Sequence, residues 1–309
     1  GNNVAVGIIA GRSLTTGIDN VIIGASAGDA LTDADYNVAI GKVALSSDTK
    51  GSKSVAIGNG ALFTQNFTSS TDSHNTAVGF DAGGAVTTGI GNTILGSGAG
   101  SVFTTGLRNT LLGYNAGLAL ATSNSDNTFI GQGAGSAITS GDANTIIGRY
   151  NGSGSLDLRT ASNNIVLSDG DGNPRGYYLG SDTTWYFPDV YNDASSSSAN
   201  VVVLDGGRLL RSTSSRKYKN TINDATHGLT ELVTLRPVTY KGNNDGDTVF
   251  GGLIAEEVHD AGLTEFVAYN KNNEPDSLHY GNMVSLCINA IKELSAKNDA
   301  LEARIKTLE

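Results

Sequence analysis

A single cysteine, Cys287, rules out an intrachain disulfide and a thiolate zinc site. The four histidines (His74, His227, His259, His279) are scattered without ligand spacing, so no metal and no other cofactor is expected. Basic residues are scarce: 20 Lys and Arg stand against 30 Asp and Glu, a net charge of −10. Nucleic-acid binding needs clustered basic residues, so no nucleic-acid partner is expected. No apolar run reaches the roughly 18–20 residues of a membrane span, so no membrane insertion is expected either. The opening has no basic-plus-apolar leader. Asn2-Asn3-Val4 already fits the repeat described below, and the expectation is a piece of something longer.

Other absences are local. Residues 1–213 contain no glutamate, while all eight glutamates lie from Glu231 onward. Proline is absent before Pro174, and 27 of the 41 glycines fall in the first 153 residues. Glutamate favours helices and is depleted in strands, whereas glycine marks tight turns. The first half therefore reads as strands and turns, and helices belong to the tail.

That first half is a repeat. Asn3-Val-Ala-Val-Gly7 recurs as Asn20-Val-Ile-Ile-Gly24, Asn37-Val-Ala-Ile-Gly41, Ser54-Val-Ala-Ile-Gly58 and Asn75-Thr-Ala-Val-Gly79. It continues through Gly96, Gly113, Gly131 and Gly148, with glycine spacings of 17, 17, 17, 21, 17, 17, 18 and 17. Three residues after each glycine stands an alanine (Ala10, Ala27, Ala44, Ala61, Ala82, Ala99, Ala116, Ala134) until the ninth copy, which has Asn151. Several copies then carry an apolar residue: Leu14, Leu31, Val86, Phe103, Leu120, Ile138. A unit this short cannot bury its apolar side alone, but stacked copies can, as rungs of a β-solenoid. At about 4.8 Å per rung the shaft would be on the order of 40 Å long. The apolar residue before each glycine is expected to stack inside, and the asparagines to form a hydrogen-bonded ladder. Each alanine must face something close, either the opposite wall or another chain. The extra residues at 63–74 are expected to bulge from one face, as a binding loop or a plain surface bulge.

Residues 153–213 read as a β-rich transition, with strands at Asn164–Ser168, Tyr177–Leu179 and Val201–Leu204, an aromatic cluster at Trp185–Phe187 and a serine linker at 195–198. Two motifs here mislead. Gly24-Ala-Ser26-Ala-Gly28 matches a nucleophile elbow, yet the Ser26 slot holds Ile9, Val43, Gly60, Asp81, Gly98, Asn115 and Gly133 in other copies. Asp169, Asp171 and Asn173 open like a calcium loop, but Pro174 and Gly180 occupy the positions that need Gly and Glu. A glycan-cleaving site would need paired carboxylates, and the repeat offers only scattered aspartates in turns, among them Asp19, Asp29, Asp33, Asp72 and Asp142.

The tail carries three segments in order: Arg211-Ser-Thr-Ser214-Ser-Arg-Lys-Tyr-Lys219-Asn-Thr-Ile222, Leu235-Arg-Pro-Val-Thr-Tyr240 and Gly251-Gly-Leu-Ile-Ala-Glu-Glu-Val258. A last helix follows, with Val284, Cys287, Ile291, Leu294, Asn298, Leu301, Ile305 and Leu308 alternating three and four apart. This is a coiled-coil heptad over about 282–309, with Asn298 setting register and Cys287 in the seam. Ile at a with Leu at d favours dimers in isolation. A serine needs a base, and Ser–Lys pairs are a known arrangement; Ser214 and Lys219 can be read so, or as a basic surface turn. An ordinary lysine keeps its proton at neutral pH; Arg216 and Lys217 bring positive charge beside Lys219.

The Asn-x-Ala-Ile-Gly repeat resembles the head repeats of trimeric bacterial adhesins and the shafts of phage tail fibres, which implies a homotrimer for residues 1–152. The order of tail motifs resembles the serine-peptidase family of intramolecular chaperones that end phage tailspikes and fibres. The family motif Ser-Asp-x-Arg-x-Lys maps onto Ser214 through Lys219, with Ser215 for Asp and Lys217 for Arg. Glu256 stands where Gln is usual in the Gly-x-Ile-Ala-Gln-Glu-Val motif. The resemblance implies catalytic Ser214 and Lys219, cleavage between Thr213 and Ser214, and a chaperone domain at 214–309 that directs trimerisation. It also implies a virion location as the C-terminal part of a tail fibre or tailspike, partners among other tail proteins, and a host-surface receptor or glycan; the cut fragment would remain in the host cytoplasm. The alternatives are a bacterial trimeric adhesin, an inert stalk without cleavage, or a glycan-cleaving tailspike. The expected fold is mainly β: a solenoid shaft, then an α+β chaperone domain ending in a coiled-coil helix.

Overall fold

A computed structural model describes residues 1–121, 123–188, 201–204, 208–211, 215–243, 245–270 and 272–308. It divides into two compact units, Gly1–Ser195 and Ser196–Glu309. Among the described residues no helix is long and apolar enough to cross a membrane.

The first unit is a β-solenoid. Its rungs are β1 (Val4–Val6), β2 (Val21–Ile23), β3 (Val38–Ile40), β5 (Val55–Ile57), β7 (Thr76–Val78), β8 (Thr93–Leu95), β9 (Thr110–Leu112), β10 (Thr128–Ile130), β11 (Thr145–Ile147) and β12 (Ile165–Ser168). Each pairs with the next in parallel and in the register of the repeat, Val21 on Val38 and Thr93 on Thr110. One chain therefore coils by itself. The short pair β4 (Gly51–Ser52) and β6 (Thr71–Asp72) forms a second parallel wall. An antiparallel hairpin, β13 (Pro174–Leu179) and β14 (Thr184–Tyr186), continues the main sheet after β12. The repeat thus runs one rung past residue 152, because Asn164-Ile-Val-Leu supplies the same Asn and buried apolar residue without the closing glycine.

The strands are three residues long because both ends are sharp. From the second copy on, a left-handed residue stands before the ladder residue, such as Asp19 before Asn20, Tyr36 before Asn37, Lys53 before Ser54 or Arg108 before Asn109. After each of the first nine rung strands comes the repeat glycine at φ between 110° and 140°. A strand of three puts its middle residue on one face and the outer two on the other. The buried position is the middle one: Ile22, Ala39, Ala56, Ala77, Ile94, Leu111, Phe129, Ile146 and Val166. This corrects the expectation that the residue before the glycine points inward. Val6, Ile23, Leu95, Leu112 and Ile147 instead face outward and are exposed.

The repeat alanines settle on the opposite wall of their own chain. Ala27, Ala44, Ala61, Ala82, Ala99, Ala116 and Ala134 are fully buried in the same core, with Leu31, Val86, Phe103, Leu120 and Ile138. Volume is balanced across it. Where the strand residue is large, as in Ile22, Leu111 or Phe129, the slot four after the repeat glycine is Gly28, Gly117 or Gly135. A Cβ on Gly135 would sit 2.4 Å from the Phe129 ring. In two of the rungs whose strand residue is alanine, Ala39 and Ala56, the slot holds Leu45 or Leu62, both buried and both left-handed at φ 52° and 48°, while Ala5 and Ala77 keep Gly11 and Gly83. The methyl groups fill space that alanine leaves, against a backbone conformation disfavoured for leucine.

The asparagine ladder forms as expected. The Asn109 amide oxygen accepts the Asn127 backbone N–H at 3.0 Å, and its Nδ2 donates to the Asn124 carbonyl at 2.8 Å. Both asparagines are fully buried. In Asn109→Ala these partners lose their bonds away from water, at about 1–3 kcal/mol for each unsatisfied group. A loss of about 2–4 kcal/mol in chemical denaturation is expected. A loss under 0.5 kcal/mol would mean the ladder is ornamental.

The fourth copy shows how the ladder is completed where its asparagine is missing, while the extra residues of the 63–74 stretch include the exposed Thr68, Ser69 and Ser70. Ser54 replaces asparagine in the fourth copy and cannot reach as far. Gln65, in the slot that holds Leu14, Leu31 and Val86 in other copies, is buried in the gap: its Nε2 donates to Ser54 Oγ at 2.8 Å and to Asp48 Oδ2 at 2.7 Å, while its Oε1 accepts from Asn75 Nδ2 at 2.9 Å. Asp48, also fully buried, accepts the N–H groups of Gly51 and Phe67. A polar residue in a normally apolar slot thus supplies the amide that the ladder lost at Ser54.

The second unit contains the hairpins β15 (Val201–Leu204) with β16 (Arg208–Arg211), β17 (Val238–Lys241) with β18 (Val249–Gly252), and β19 (Val267–Tyr269) with β20 (Pro275–Leu278). Its helices are α1 (Leu229–Leu232), α2 (Ala255–Asp260) and α3 (Val284–Lys306). A small core gathers Val258, Leu263, Phe266, Val267, Met283 and Leu286. Helix α3 meets this unit through Leu286 and Ala290, and Asn289 donates to the His227 carbonyl at 2.8 Å. The heptad residues lie on the other side. Val284, Cys287, Ile291, Leu294, Asn298, Leu301, Ile305 and Leu308 are all exposed. Cys287, expected in a coiled-coil seam, is therefore an exposed thiol in the single chain.

Candidate self-cleavage segment

Thr213 and Ser214, the expected scissile pair, lie outside the described residues. Described structure resumes at Ser215, whose carbonyl accepts the Tyr218 N–H at 3.0 Å and closes a 3-10 turn over Arg216–Tyr218. Lys219 ends that turn in an extended conformation, φ −122° and ψ 146°, with its N–H donated to the Arg216 carbonyl at 3.0 Å. The Lys217 ammonium sits 4.8 Å from the centre of the Tyr218 ring. The segment from Ser215 to Lys219 is exposed throughout. Its turn draws the chain back on itself over the same residues that carry positive charge.

The two later motifs come together. Strand β17, from Leu235-Arg-Pro-Val-Thr-Tyr240, pairs with β18, which opens Gly251-Gly-Leu-Ile-Ala-Glu-Glu-Val258; Val238 lies opposite Gly252 and Tyr240 opposite Phe250. Arg236 forms an ion pair with Glu257 across the motifs, and this hydrogen-bonded guanidinium holds the Glu257 carboxyl below its usual range. A side chain on Gly252 would put its Cβ 2.7 Å from the Tyr280 hydroxyl. That hydroxyl accepts the Leu253 N–H at 2.7 Å. Glu256, Tyr240, Asp276 and Tyr280 line a cleft of about 320 Å³ beside this crossing. Neither the Arg236–Glu257 pair nor Tyr280 stood out in the sequence, because their partners are 21 and 27 residues distant.

The misleading motifs resolve into architecture. Ser26 is a left-handed corner at φ 55°, its N–H donated to the Ile8 carbonyl of the preceding rung. Asp169 is held by the Asn173 backbone N–H at 2.9 Å, by the Asn173 amide, and by the Arg175 guanidinium at 2.7 Å. These donors, the Asn173 backbone first, keep its carboxyl far below the usual range. The repeat aspartates serve neighbouring rungs: Asp19 accepts from Asn2, Asp29 faces Arg12, Asp72 pairs with Lys53, and Asp142 accepts the Ser125 N–H. Asp33 accepts from its neighbour Thr32. Among the described residues no group of three or more His, Cys, Asp or Glu side chains is placed to hold a metal ion. In comparisons with known proteins, no family model, no curated protein and no solved structure matches this chain.

Proposed function

We propose that the chain is part of a homotrimeric phage tail fibre or tailspike, and that residues 214–309 chaperone assembly of the shaft and then cut themselves away before Ser214. The observation that carries the reading is a pair of unpartnered apolar surfaces on separate units. On the solenoid, the outward positions of ten strands are all Val, Ile, Leu or Thr, without one charge. That face spans about 45 by 10 Å, roughly half of the ~800 Å² per partner of a standard interface. On α3, a whole heptad stripe is exposed while the opposite side is bound to its own unit. Surfaces of this kind mark association sites.

The repeat also explains why a chaperone is useful. Rungs of nearly equal sequence can pair one step out of register at little energetic cost, and slow non-local β pairing is exposed to aggregation. Trimerisation of α3 first would fix the register, and cleavage would then make assembly irreversible. In the cleavage step, the Ser214 hydroxyl oxygen attacks the Thr213 carbonyl carbon as Lys219 takes the hydroxyl proton. The C–N bond to Ser214 breaks, the amine leaves protonated, and an ester forms. Water hydrolyses the ester to the Thr213 carboxylate and restores the hydroxyl. The shaft would contribute to attachment at a host-surface receptor or glycan.

The test is expression of residues 1–213 beside the whole chain. Sedimentation should show a soluble trimer for the whole chain and aggregate for the shorter one. The same soluble oligomer from residues 1–213 would sink the chaperone role. A soluble trimer whose chains stay whole would favour the adhesin or stalk reading.

A further inference from the structure

The outward face of the solenoid does not stop at β12. In the hairpin that follows, Ile165 pairs with Tyr178 and Leu167 with Gly176, and Tyr178 pairs with Trp185. Residues directly opposite one another share a face, so Tyr178 and Trp185 continue the line of outward residues. Phe187, two residues after Trp185, joins them; its ring lies 3.1 Å from where a Cβ on Gly176 would be. Gly176 thus leaves room for the ring. Trp185 and Phe187 lie nearly parallel, 9° apart with centres 6.0 Å apart. The other side of the hairpin is already used: Tyr177 stacks on Tyr186 at 4.9 Å and packs against the solenoid core. Trp185 and Phe187 each remain 48% exposed.

We infer that Trp185 and Phe187, with Tyr178, form the aromatic anchor at which copies of this chain lock together at the end of the shaft. This rests on the trimer reading and adds where its binding energy concentrates. Interface energy gathers in a few large aromatic side chains, Trp above all, seated in a dry centre. A uniform column of Val, Ile, Leu and Thr gives contact but little discrimination between registers, since each rung resembles the next. A unique aromatic cluster at one end can match only the same cluster on another copy. The face is uncharged up to and including the cluster, which suits an identical surface and not an ionic partner. The segment that follows, Asp189 to Asn200, is rich in Ser, Asn and Asp, a composition poorly suited to cover three rings.

Trp185 is the chain's one tryptophan, so its fluorescence reads this site alone. In the whole chain, emission should be blue-shifted and acrylamide quenching weak at concentrations where sedimentation shows the trimer. Phe187→Asp should weaken association by about thirtyfold or more, the loss typical of an interface anchor. It should also shift Trp185 emission to the red with several-fold stronger quenching. Far-UV circular dichroism should be unchanged, because the ring faces outward from the hairpin. A wild-type trimer with a freely quenched Trp185 would overturn this inference and leave the trimer standing. So would Phe187→Asp that remains a trimer with Trp185 shielded. A shielded Trp185 in a species sedimenting as a monomer would show that the chain's own residues cover the rings, and would overturn both.

Discussion

Ser214→Ala is expected to leave the 309-residue chain whole, whereas the wild-type chain should yield a 96-residue fragment, residues 214–309. Mass spectrometry of the folded protein reads the difference directly. Loss of a nucleophilic serine typically slows a serine peptidase by about 10³-fold or more, so cleavage should vanish on the scale of assembly. Lys219→Ala should behave alike. Lys219→Arg should also fail, because a guanidinium stays protonated and cannot accept the hydroxyl proton. All three variants should still sediment as trimers, since none alters the sheet face or α3. A wild-type chain that stays whole after native folding, or a Ser214→Ala chain that is cut at the same bond, would end the self-cleavage proposal.

Gly96→Ala should unfold the middle of the shaft. Gly96 has φ 139°, a region that essentially only glycine occupies. A Cβ there would lie 2.3 Å from the Gly113 carbonyl oxygen and 2.5 Å from its carbon. Both atoms are backbone of the next rung, so no side chain can rotate away; the rungs must separate. Backbone strain alone costs about 1–3 kcal/mol, and broken ladder bonds add to it, so a total beyond about 4 kcal/mol is expected. Solenoid stability is a sum over neighbouring repeats, so hydrogen exchange should show lost protection centred on β8 and β9. Ser97→Ala, one residue on and off the clash, should stay within about 0.5 kcal/mol. A Gly96→Ala protein within 1 kcal/mol of wild type in chemical denaturation would show that the rungs are spaced more loosely than described.

The repeat was legible because its unit carries the fold's punctuation: Asn75, Gly79 and Ala82 recur at fixed spacing and mark corner, strand end and inner wall. Which strand residue points inward was misread. Ile23 and Ile22 are equally apolar, and alternation cannot be phased when all three strand residues are apolar, as in Val21-Ile-Ile23. The sense of Leu45 and Leu62 is not readable in the sequence, because it lies in the room left by Ala39 and Ala56. The coiled-coil stripe on α3 was clear from spacing, while the internal grip of Leu286 and Ala290 was not, since it depends on a core assembled from Val258 to Met283. Of the candidate catalytic residues, the sequence names Ser214 and Lys219 by motif order; the fold adds the turn that ends at Lys219 and the pairing of the two later motifs.

Sequence alone determined the solenoid, its period and the helical tail, because local backbone demands recur there: a glycine where φ must be positive, an asparagine where an amide must reach the next rung. Only the tertiary structure decided which side of each strand is core. It also showed that the alanines meet their own opposite wall, that Gln65 replaces the amide missing at Ser54, and that the outward face runs unbroken into Trp185 and Phe187. These are contacts between residues one or more rungs apart. Packing volume, hydrogen-bond reach and exposure are properties of the stack, and no single repeat contains them.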